Sequence, residues 1–174
     1  MRFERVSHEQ FVADLQTFWG CSKDKAESIA QQPVTLPQRA TAGSAGYDFY
    51  SPVDVILRPG ESVTIPTGIR IVGTPPGKVG TPSGWVLLLL PRSGMGFKYR
   101  LQLDNTVGVI DEDYYLAENE GHILIRISND GYQPKECHIK AGDRFAQGLI
   151  MPYMLTDDDQ ATDHRIGGMG STGE

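Results

Sequence analysis

The chain has 174 residues, which is enough for one domain with a hydrophobic core and leaves little for a second. Its net charge of −6 argues against binding to a nucleic-acid backbone, because such binding needs a basic face. With 39% apolar and 22% charged residues it has the composition of a globular protein, and its 20 glycines and 11 prolines favour short strands joined by turns.

The first elements predicted along the chain are two helices between residues 7 and 32. Ser7 with Gln10 forms a capping-box pattern, Gly20 is a helix stop, and a second short helix is predicted from Ser22 to Gln31. The first helix carries an apolar stripe at helical spacing, namely Phe11, Leu15, Phe18 and Trp19. We expect this extension to pack its stripe on the main domain or on a neighbouring subunit, and it is also a candidate surface for a protein partner.

The two cysteines, Cys21 and Cys137, are not preceded by a hydrophobic leader-like run. We therefore expect reduced, buried thiols in a cytoplasmic protein. The longest apolar run, Trp85–Leu90, is too short to cross a bilayer and predicts a strand buried on both faces, so no membrane partner is expected.

From Pro33 onward the pattern changes to strands and turns, which predicts an all-β fold. Asn129–Gly131 predicts a hairpin turn. Asp157–Asp159 predicts a solvated linker, because consecutive residues rarely converge on one metal ion. The other strands predicted are Val53–Leu57, Ser62–Ile65, Ile69–Val72, Ile123–Ile127 and Phe145–Leu155.

Five short segments carry residues suited to phosphate chemistry, and each has a structural alternative. Ala45–Asp48 places a carboxylate beside a glycine, or makes a simple turn. Pro91–Gly96 offers an arginine, a serine and exposed N–H groups as a phosphate cradle, or a polar turn after a strand. Gly142–Gln147 mixes ions with an amide, either for catalysis or for an ion pair between Asp143 and Arg144.

The remaining two segments are Gly108–Tyr114 and the tail Arg165–Gly173. Asp111 follows an apolar pair, so we expect its carboxylate to be partly desolvated, as suits a general base. The alternatives are a β-turn built on Asp111 and a metal shared by Asp111 and Asp113. The glycines, hydroxyls and guanidinium of the tail are groups that wrap a polyphosphate, or form a disordered end.

In this order and spacing, the five segments resemble the five motifs of the homotrimeric dUTPases, which hydrolyse dUTP to dUMP and pyrophosphate. The resemblance covers roughly Val34 to Gly173 and includes Ile65–Ile69 and Asn105–Gly108. It implies an all-β fold, the dUTPase-like distorted jelly-roll β-barrel. The implied parts are an N-terminal helical extension over 1–32, the barrel over 33–156 and a flexible, phosphate-clasping C-terminal arm over 157–174.

The resemblance also implies a role for each matched residue. Asp111 would act as general base on the water that attacks the α-phosphate. Tyr114 would pack on the deoxyribose and leave no room for a 2′-hydroxyl. The main chain of a β-hairpin would pair with the uracil edge, in a slot lined by Asn105, Val109, Ile110 and Leu124. The phosphates would be bound by Arg92, Ser93, Gly94 and Gln147, and by Arg165, Gly170, Ser171 and Thr172 of the closing arm.

A magnesium ion is implied as cofactor, since Mg²⁺ bridges triphosphate oxygens and neutralises developing charge. Asp48 would face this ion through a coordinated water. In the family, motifs from three subunits meet in each site, so the resemblance implies a homotrimer that binds dUTP in shared active sites.

Three features depart from the family pattern. Met169 stands where the family has a phenylalanine that stacks over uracil. The tail arginine is one residue closer to the double glycine, which leaves His164 or Arg165 to meet the γ-phosphate, and we favour Arg165 because a guanidinium forks onto phosphate. Residues 115–120 form a loop insertion before Gly121.

The resemblance implies a dUTP diphosphatase, which limits uracil in DNA and supplies dUMP. Two other functions are weighed against it. A dCTP deaminase would need a glutamate base, where this chain has Asp111. A nucleotide-gated regulatory protein on the same scaffold would use the helices and the insertion as contact surfaces. The intact Asp111, Arg92, Gln147 and tail favour the hydrolase.

Overall fold

The computed structural model of the chain describes residues 1–73, 84–132, 134–162, 165 and 167. Within these residues the α-helices are α1 (His8–Phe18), α2 (Lys23–Ala30) and α3 (Ser93–Tyr99). A 3₁₀ turn covers Tyr114–Leu116. The strands are β1 (Arg2–Arg5), β2 (Gln38–Arg39), β3 (Tyr47–Tyr50), β4 (Val55–Leu57), β5 (Ser62–Pro66), β6 (Ile69–Val72), β7 (Gly84–Pro91), β8 (Leu101–Leu103), β9 (Gly108–Asp111), β10 (Leu124–Asn129), β11 (Cys137–Ile139) and β12 (Arg144–Tyr153).

The two N-terminal helices form where local signals predict them. The Ser7 hydroxyl caps α1 by accepting a hydrogen bond from the Gln10 amide at 3.1 Å, and Ser22 caps α2 in the same way. Of the predicted apolar stripe, Phe11 and Leu15 are buried in the core, whereas Phe18 is 42% exposed.

The N-terminal segment also contains β1, which pairs antiparallel with β6 from Arg2–Val72 to Arg5–Ile69. Buried side chains of α1 and α2 belong to the same hydrophobic cluster as the strands. The first 32 residues are therefore packed into the β framework, and their treatment as a separate extension stays a prediction.

The predicted all-β, jelly-roll class is confirmed. In the described part of the chain the strands pair into four sheets rather than one closed barrel. Their orders are β1–β6, β5–β10–β8, β11–β4 and β2–β3–β12–β7–β9.

The hairpin predicted at Asn129–Gly131 is wrong. Strand β10 pairs with β5 and β8, and the next strand, β11, pairs with β4 in another sheet. The Asn129 side chain is buried and donates hydrogen bonds to the carbonyl oxygens of Leu57 and Lys135, at 3.2 and 2.8 Å. These bonds hold the chain as it crosses between the two sheets.

The five-stranded sheet carries the candidate site on its outer face. The inward side chains of β7, Trp85, Leu87 and Leu89, are buried, but the outward Val86, Leu88 and Leu90 are only half-buried. The prediction that β7 is buried on both faces is therefore wrong for the single chain. The strand keeps an apolar outer row that this chain alone does not cover.

No helix among the described residues has both the length and the apolar character needed to cross a membrane.

Candidate active site

One group of polar side chains lies where β7 ends, and we call it the arginine cluster: Asp48, Arg92, Arg144 and Gln147. Asp48 on β3 is buried, and its two carboxylate oxygens accept from Arg92 Nε at 2.8 Å and from an Arg144 Nη at 3.2 Å. The predicted pairing of Asp143 with Arg144 is not formed, because the Asp143 carboxylate accepts from the Lys140 amide at 2.8 Å. Asp48 thus holds two guanidinium groups side by side.

Gln147 joins this cluster through the register of the sheet. It lies opposite Asp48 on one side and Leu90 on the other, so all three side chains share one face. Its Nε2 donates to the Pro91 carbonyl at 3.0 Å. A Cβ atom at residue 46 would lie 2.8 Å from Gln147 Oε1, so the Gln147 amide would have to turn to make room for a side chain there.

The segment Pro91–Gly96, interpreted as a phosphate cradle or a polar turn, leads into a helix. The Arg92 carbonyl accepts from the amides of Met95 and Gly96, at 3.1 and 2.9 Å, and α3 starts at Ser93. Ser93 and Gly94 are exposed in the first turn, where amide groups have no partner within a helix. The residues expected to form a phosphate cradle thus lie at the start of a short helix beside Arg92, and their role in phosphate binding stays a prediction.

A second group, the aspartate cluster, consists of Asp111, Asp113, Tyr114 and Arg165. The Arg165 guanidinium donates to Asp113 at 2.9 Å and also to Asp111, and it lies 5.5 Å from the centre of the Tyr114 ring. The Asp111 side chain is 52% exposed in the single chain, and its expected partial desolvation stays a prediction. Asp111 and Asp113 share the guanidinium of Arg165.

Tyr114 is anchored at its buried end. Its hydroxyl donates to the His122 carbonyl at 3.2 Å and accepts from Asn119 Nδ2 at 3.1 Å. Burial raises the pKa of the Tyr114 hydroxyl, so it stays protonated at neutral pH and acts as the donor. The ring is therefore held by two residues that follow it in the chain.

The resemblance assigns the uracil slot to a β-hairpin, but the strands on either side of residues 104–107 do not pair with each other. Strands β8 and β9 belong to different sheets and occupy an edge of each among the described strands. Asn105 and Val109 are exposed, the latter by 58%, whereas the Ile110 and Leu124 side chains are buried. Ile110 and Leu124 can therefore contribute only main-chain groups to such a slot.

The two clusters lie on the same face of the five-stranded sheet, far apart. Asp111 is in register with Val86 near one end of β7, and Asp48 is in register with Gln147 and Leu90 near the other. With about 4.8 Å between strands and about 3.3 Å per residue along them, Asp111 is separated from Asp48 by about 20 Å. Between them lies an apolar row in register: Val109, Leu88 and Leu149.

The predicted tail residues His164, Met169, Gly170, Ser171 and Thr172 lie outside the described residues.

No group of three or more His, Cys, Asp or Glu side chains suited to a metal ion occurs in the described ranges. Both oxygens of Asp48 accept hydrogen bonds from arginines. Asp48 therefore does not fit the role of a direct magnesium ligand, and its expected contact through water stays a prediction.

The chain matches the dUTPase family model over residues 32–173. It is 40% identical over 143 residues to a deoxyuridine 5′-triphosphate nucleotidohydrolase of Lactococcus lactis subsp. lactis, which covers 80% of this chain and 89% of that relative. This chain belongs to the dUTPase family. A second relative of the same name, from Chromobacterium violaceum, is 39% identical over 145 residues and covers 79% of this chain and 87% of its own.

Solved structures show the same relationship. The dUTPase of Streptococcus mutans superposes with a TM-score of 0.62 at 32% identity, over 90% of this chain and 99% of its own. The dUTPase of Staphylococcus bacteriophage 80alpha, solved with dUPNHPP, gives a TM-score of 0.56 at 26% identity, over 75% of this chain and 83% of its own. The chain is thus a dUTPase-family enzyme.

Two contacts of this site have no counterpart in the sequence pattern. The sequence pattern suggests a partner for Arg144 only in its neighbour Asp143. In the structure Arg144 instead binds Asp48 on the paired strand β3. Nothing in the pattern singles out His122, although its carbonyl anchors Tyr114. Only the strand register, which no local pattern specifies, brings Arg144 to Asp48.

Proposed function

We propose that this dUTPase-family enzyme hydrolyses dUTP to dUMP and pyrophosphate in a site that is completed between copies of the chain. The observation that carries this proposal is the separation of the aspartate and arginine clusters on one sheet face. A base must lie within about 3 Å of the water that it activates. Asp111 lies about 20 Å from the Asp48 that holds Arg92, so it cannot serve the nucleotide whose phosphates the Arg92 of the same chain binds.

The apolar row between the clusters supports association of this face with another copy. Val109 is 58% exposed, and Leu88 and Leu149 are half-buried. Burying such a row stabilises an interface by roughly 25 cal/mol per Å² of apolar surface. A neighbouring chain that covers it would bring its own arginine cluster towards this chain's Asp111. A homotrimer, as the family resemblance implies, satisfies this requirement with equivalent sites.

In the proposed reaction Asp111 accepts a proton from water as the water oxygen attacks the α-phosphorus. The bond from that phosphorus to the bridging oxygen breaks, and pyrophosphate leaves with the bonding electrons. General-base catalysis of this kind contributes about 10²–10⁴-fold to the rate. Arg92 and Gln147 of a neighbouring copy stabilise the negative charge on the phosphate oxygens. Asp48 holds Arg92 in place, and the Pro91 carbonyl holds Gln147.

Arg165 has two roles in this proposal. In the chain by itself its guanidinium binds Asp111 and Asp113. When substrate arrives, the phosphates compete for the guanidinium, which releases Asp111 for its role as base. Gly170, Ser171, Thr172 and Met169, which lie outside the described residues, are the tail residues that we assign to the phosphates and the base.

The uracil edge would pair with main-chain groups of β8 and β9, because each strand has an edge free of strand partners among the described residues. Fixed donors and acceptors accept uracil and leave unpaired buried groups against cytosine, which is costly. Tyr114 would pack against the deoxyribose once the phosphates draw Arg165 away, because its hydroxyl is anchored and its buried ring is covered by that guanidinium, 5.5 Å from the ring centre.

We expect magnesium to bind together with the substrate, through the triphosphate rather than through protein ligands alone. Mg²⁺ commonly binds through substrate phosphates and water rather than through an all-protein cage. When bound, the ion would neutralise charge on the phosphates. A structural Mg(II) ion has been described in a mutant of the dUTPase from phage phi11 of S. aureus.

The proposal is tested with Asp111→Asn and its matched control Asp113→Asn. Both aspartates are about half exposed and bind Arg165, but only Asp111 is assigned as base. We expect Asp111→Asn to bind a non-hydrolysable dUTP analogue and to lose about 10²–10⁴-fold in turnover. Asp113→Asn should stay within about tenfold of the wild type, because it loses only one contact to Arg165.

The substrate range is measured by incubating the wild type and Mg²⁺ with dUTP, dCTP, dTTP and UTP separately. Pyrophosphate from dUTP alone supports the proposal. Ammonia from dCTP would indicate a deaminase, and nucleotide binding without turnover would indicate a regulatory protein. Either result, or full activity in Asp111→Asn, would overturn the assignment.

A further inference from the structure

A buried polar network joins the N-terminal helix α1 to the loop that anchors Tyr114. His122 is fully buried, and its Nδ1 donates to the carboxylate of Asp14 on α1 at 2.5 Å. Its Nε2 accepts from the Gly68 amide at 2.7 Å. These two partners fix the tautomer with the proton on Nδ1 and fix the ring in orientation. The Phe11 ring packs edge-on against it, with centroids 5.7 Å apart.

A second contact attaches α1 to the same loop. The amide of Ser7, the N-cap residue of α1, donates to the Glu120 carboxylate at 2.8 Å. Burial by itself raises the pKa of Glu120, but the hydrogen bonds from Ser7 outweigh it and leave the pKa below its usual value. The helix therefore holds the loop at two residues, Glu120 and His122, through ionised and buried groups.

The loop in turn holds Tyr114. The His122 carbonyl accepts from the Tyr114 hydroxyl at 3.2 Å, and Asn119 donates to the same hydroxyl at 3.1 Å. The His122 amide donates to the Asn119 carbonyl at 3.0 Å, which joins the two anchors into one unit. A shift of the His122 ring would move its own backbone carbonyl and so the end of the Tyr114 side chain.

We propose that α1 positions Tyr114, with Asp14 acting through His122, and thereby sets the discrimination between deoxyribose and ribose nucleotides. The inference rests on the assignment of Tyr114 to the sugar under the proposed function. It gives the N-terminal segment and the 115–120 insertion a shared role, because the insertion supplies Asn119 and Glu120 and the helix holds it in place. Asp14 and His122 are positioning residues, since Asp14 acts through the His122 ring and His122 contacts the Tyr114 hydroxyl rather than the ring face assigned to the sugar.

The test compares Asp14→Ala with Leu15→Ala, its neighbour on α1. Leu15 is fully buried, so its truncation weakens the packing of the helix without touching the network. The measured quantities are the thermal midpoint and the ratio of kcat/KM for dUTP to that for UTP. We expect Asp14→Ala to lower the ratio by at least about tenfold, since a misplacement of 1 Å at a reacting site costs about a hundredfold. Leu15→Ala should lower the midpoint and keep the wild-type ratio.

Two more variants keep the test decisive if Asp14→Ala folds poorly. Asp14→Asn retains an acceptor oxygen for His122 Nδ1, so its ratio should stay within about threefold of the wild type. Asn119→Ala removes one anchor of the hydroxyl from a partly exposed position, and we expect it to lower the ratio. A wild-type ratio in Asp14→Ala with only the midpoint changed, or a wild-type ratio in Asn119→Ala where Asp14→Ala does not fold, would overturn the proposal.

Failure of the underlying assignment gives a different pattern. If Tyr114→Ala keeps the wild-type ratio, Tyr114 does not read the sugar, and both the assignment and this inference are overturned. If Tyr114→Ala lowers the ratio and Asp14→Ala does not, the assignment stands and only the positioning role is overturned.

Discussion

The loop that carries the Tyr114 anchor depends on a glycine, and Gly121→Ala tests this dependence. Gly121 has φ +70°, and a Cβ atom there would lie 2.8 Å from the Tyr114 carbonyl oxygen and 2.9 Å from the Tyr115 amide nitrogen. These neighbours are backbone atoms, which cannot rotate away. Gly20 is the matched control, because it has φ +71° and nothing within 4 Å of its would-be Cβ.

The magnitude follows from the two costs that a methyl group meets. The left-handed conformation costs about 1–2 kcal/mol for a residue with a Cβ, and both variants carry this cost. Overpacking against backbone adds about 1–3 kcal/mol at residue 121 alone. Gly121→Ala should therefore lower the free energy of unfolding by about 2–5 kcal/mol, against about 1–2 kcal/mol for Gly20→Ala.

The assay is urea unfolding of both variants and the wild type at one protein concentration, because oligomers change stability with concentration. The dUTP-to-UTP ratio of kcat/KM is measured alongside, and only Gly121→Ala should lower it. Equal destabilisation of the two variants, with the ratio unchanged in both, would refute the view that this loop is tightly packed and positions Tyr114.

Two further predictions concern buried ionisable groups. Asp48→Asn should lower the free energy of unfolding by about 2 kcal/mol, because Asp48 is buried between two partly exposed guanidinium groups, one of them Arg92. The control, Asp54→Asn, changes an exposed aspartate and should lower the free energy of unfolding less. Equal losses for the two variants in urea unfolding would contradict this prediction. Burial raises the pKa of the Cys137 thiol to about 11, above the value of about 8.5 for a thiol in the unfolded chain. The stability that this buried, protonated thiol contributes is therefore complete below pH about 8.5 and is lost as the pH rises through about 11. Alkylation at pH about 9 should modify the partly exposed Cys21 well before Cys137, and equal rates would contradict the burial.

The parts of the fold that depend on neighbouring residues could be predicted from the sequence. The cap of α1 needs only Ser7 and the amide of Gln10, and the longer strands follow from local apolar patterns. Strand β1 has four residues with two arginines and a glutamate, and it forms because β6 lies beside it. Such a strand has no local signal.

The candidate site was predicted in its residues but not in its geometry. The expected partial desolvation of Asp111 rests on its apolar neighbours in sequence, but side chains alternate along a strand, so Ile110 points into the core and Asp111 stays about half exposed. Likewise Arg92 and Arg144 meet Asp48 only through the register of β3, β12 and β7. Sequence order predicts which motifs belong together, but it does not show that they lie at two ends of one sheet face.

The division of the site between chains is tested most directly by mixing two inactive variants, Asp111→Asn and Arg92→Ala. Each variant retains the half of the site that the other lacks. If one site takes its base from one chain and its arginine from a neighbour, chains refolded together at equal amounts should recover about a quarter of the wild-type dUTP hydrolysis, because each half has an even chance of being intact. If the mixture recovers no dUTP hydrolysis although both variants assemble with wild-type chains, each chain builds its own site. That result would contradict the account.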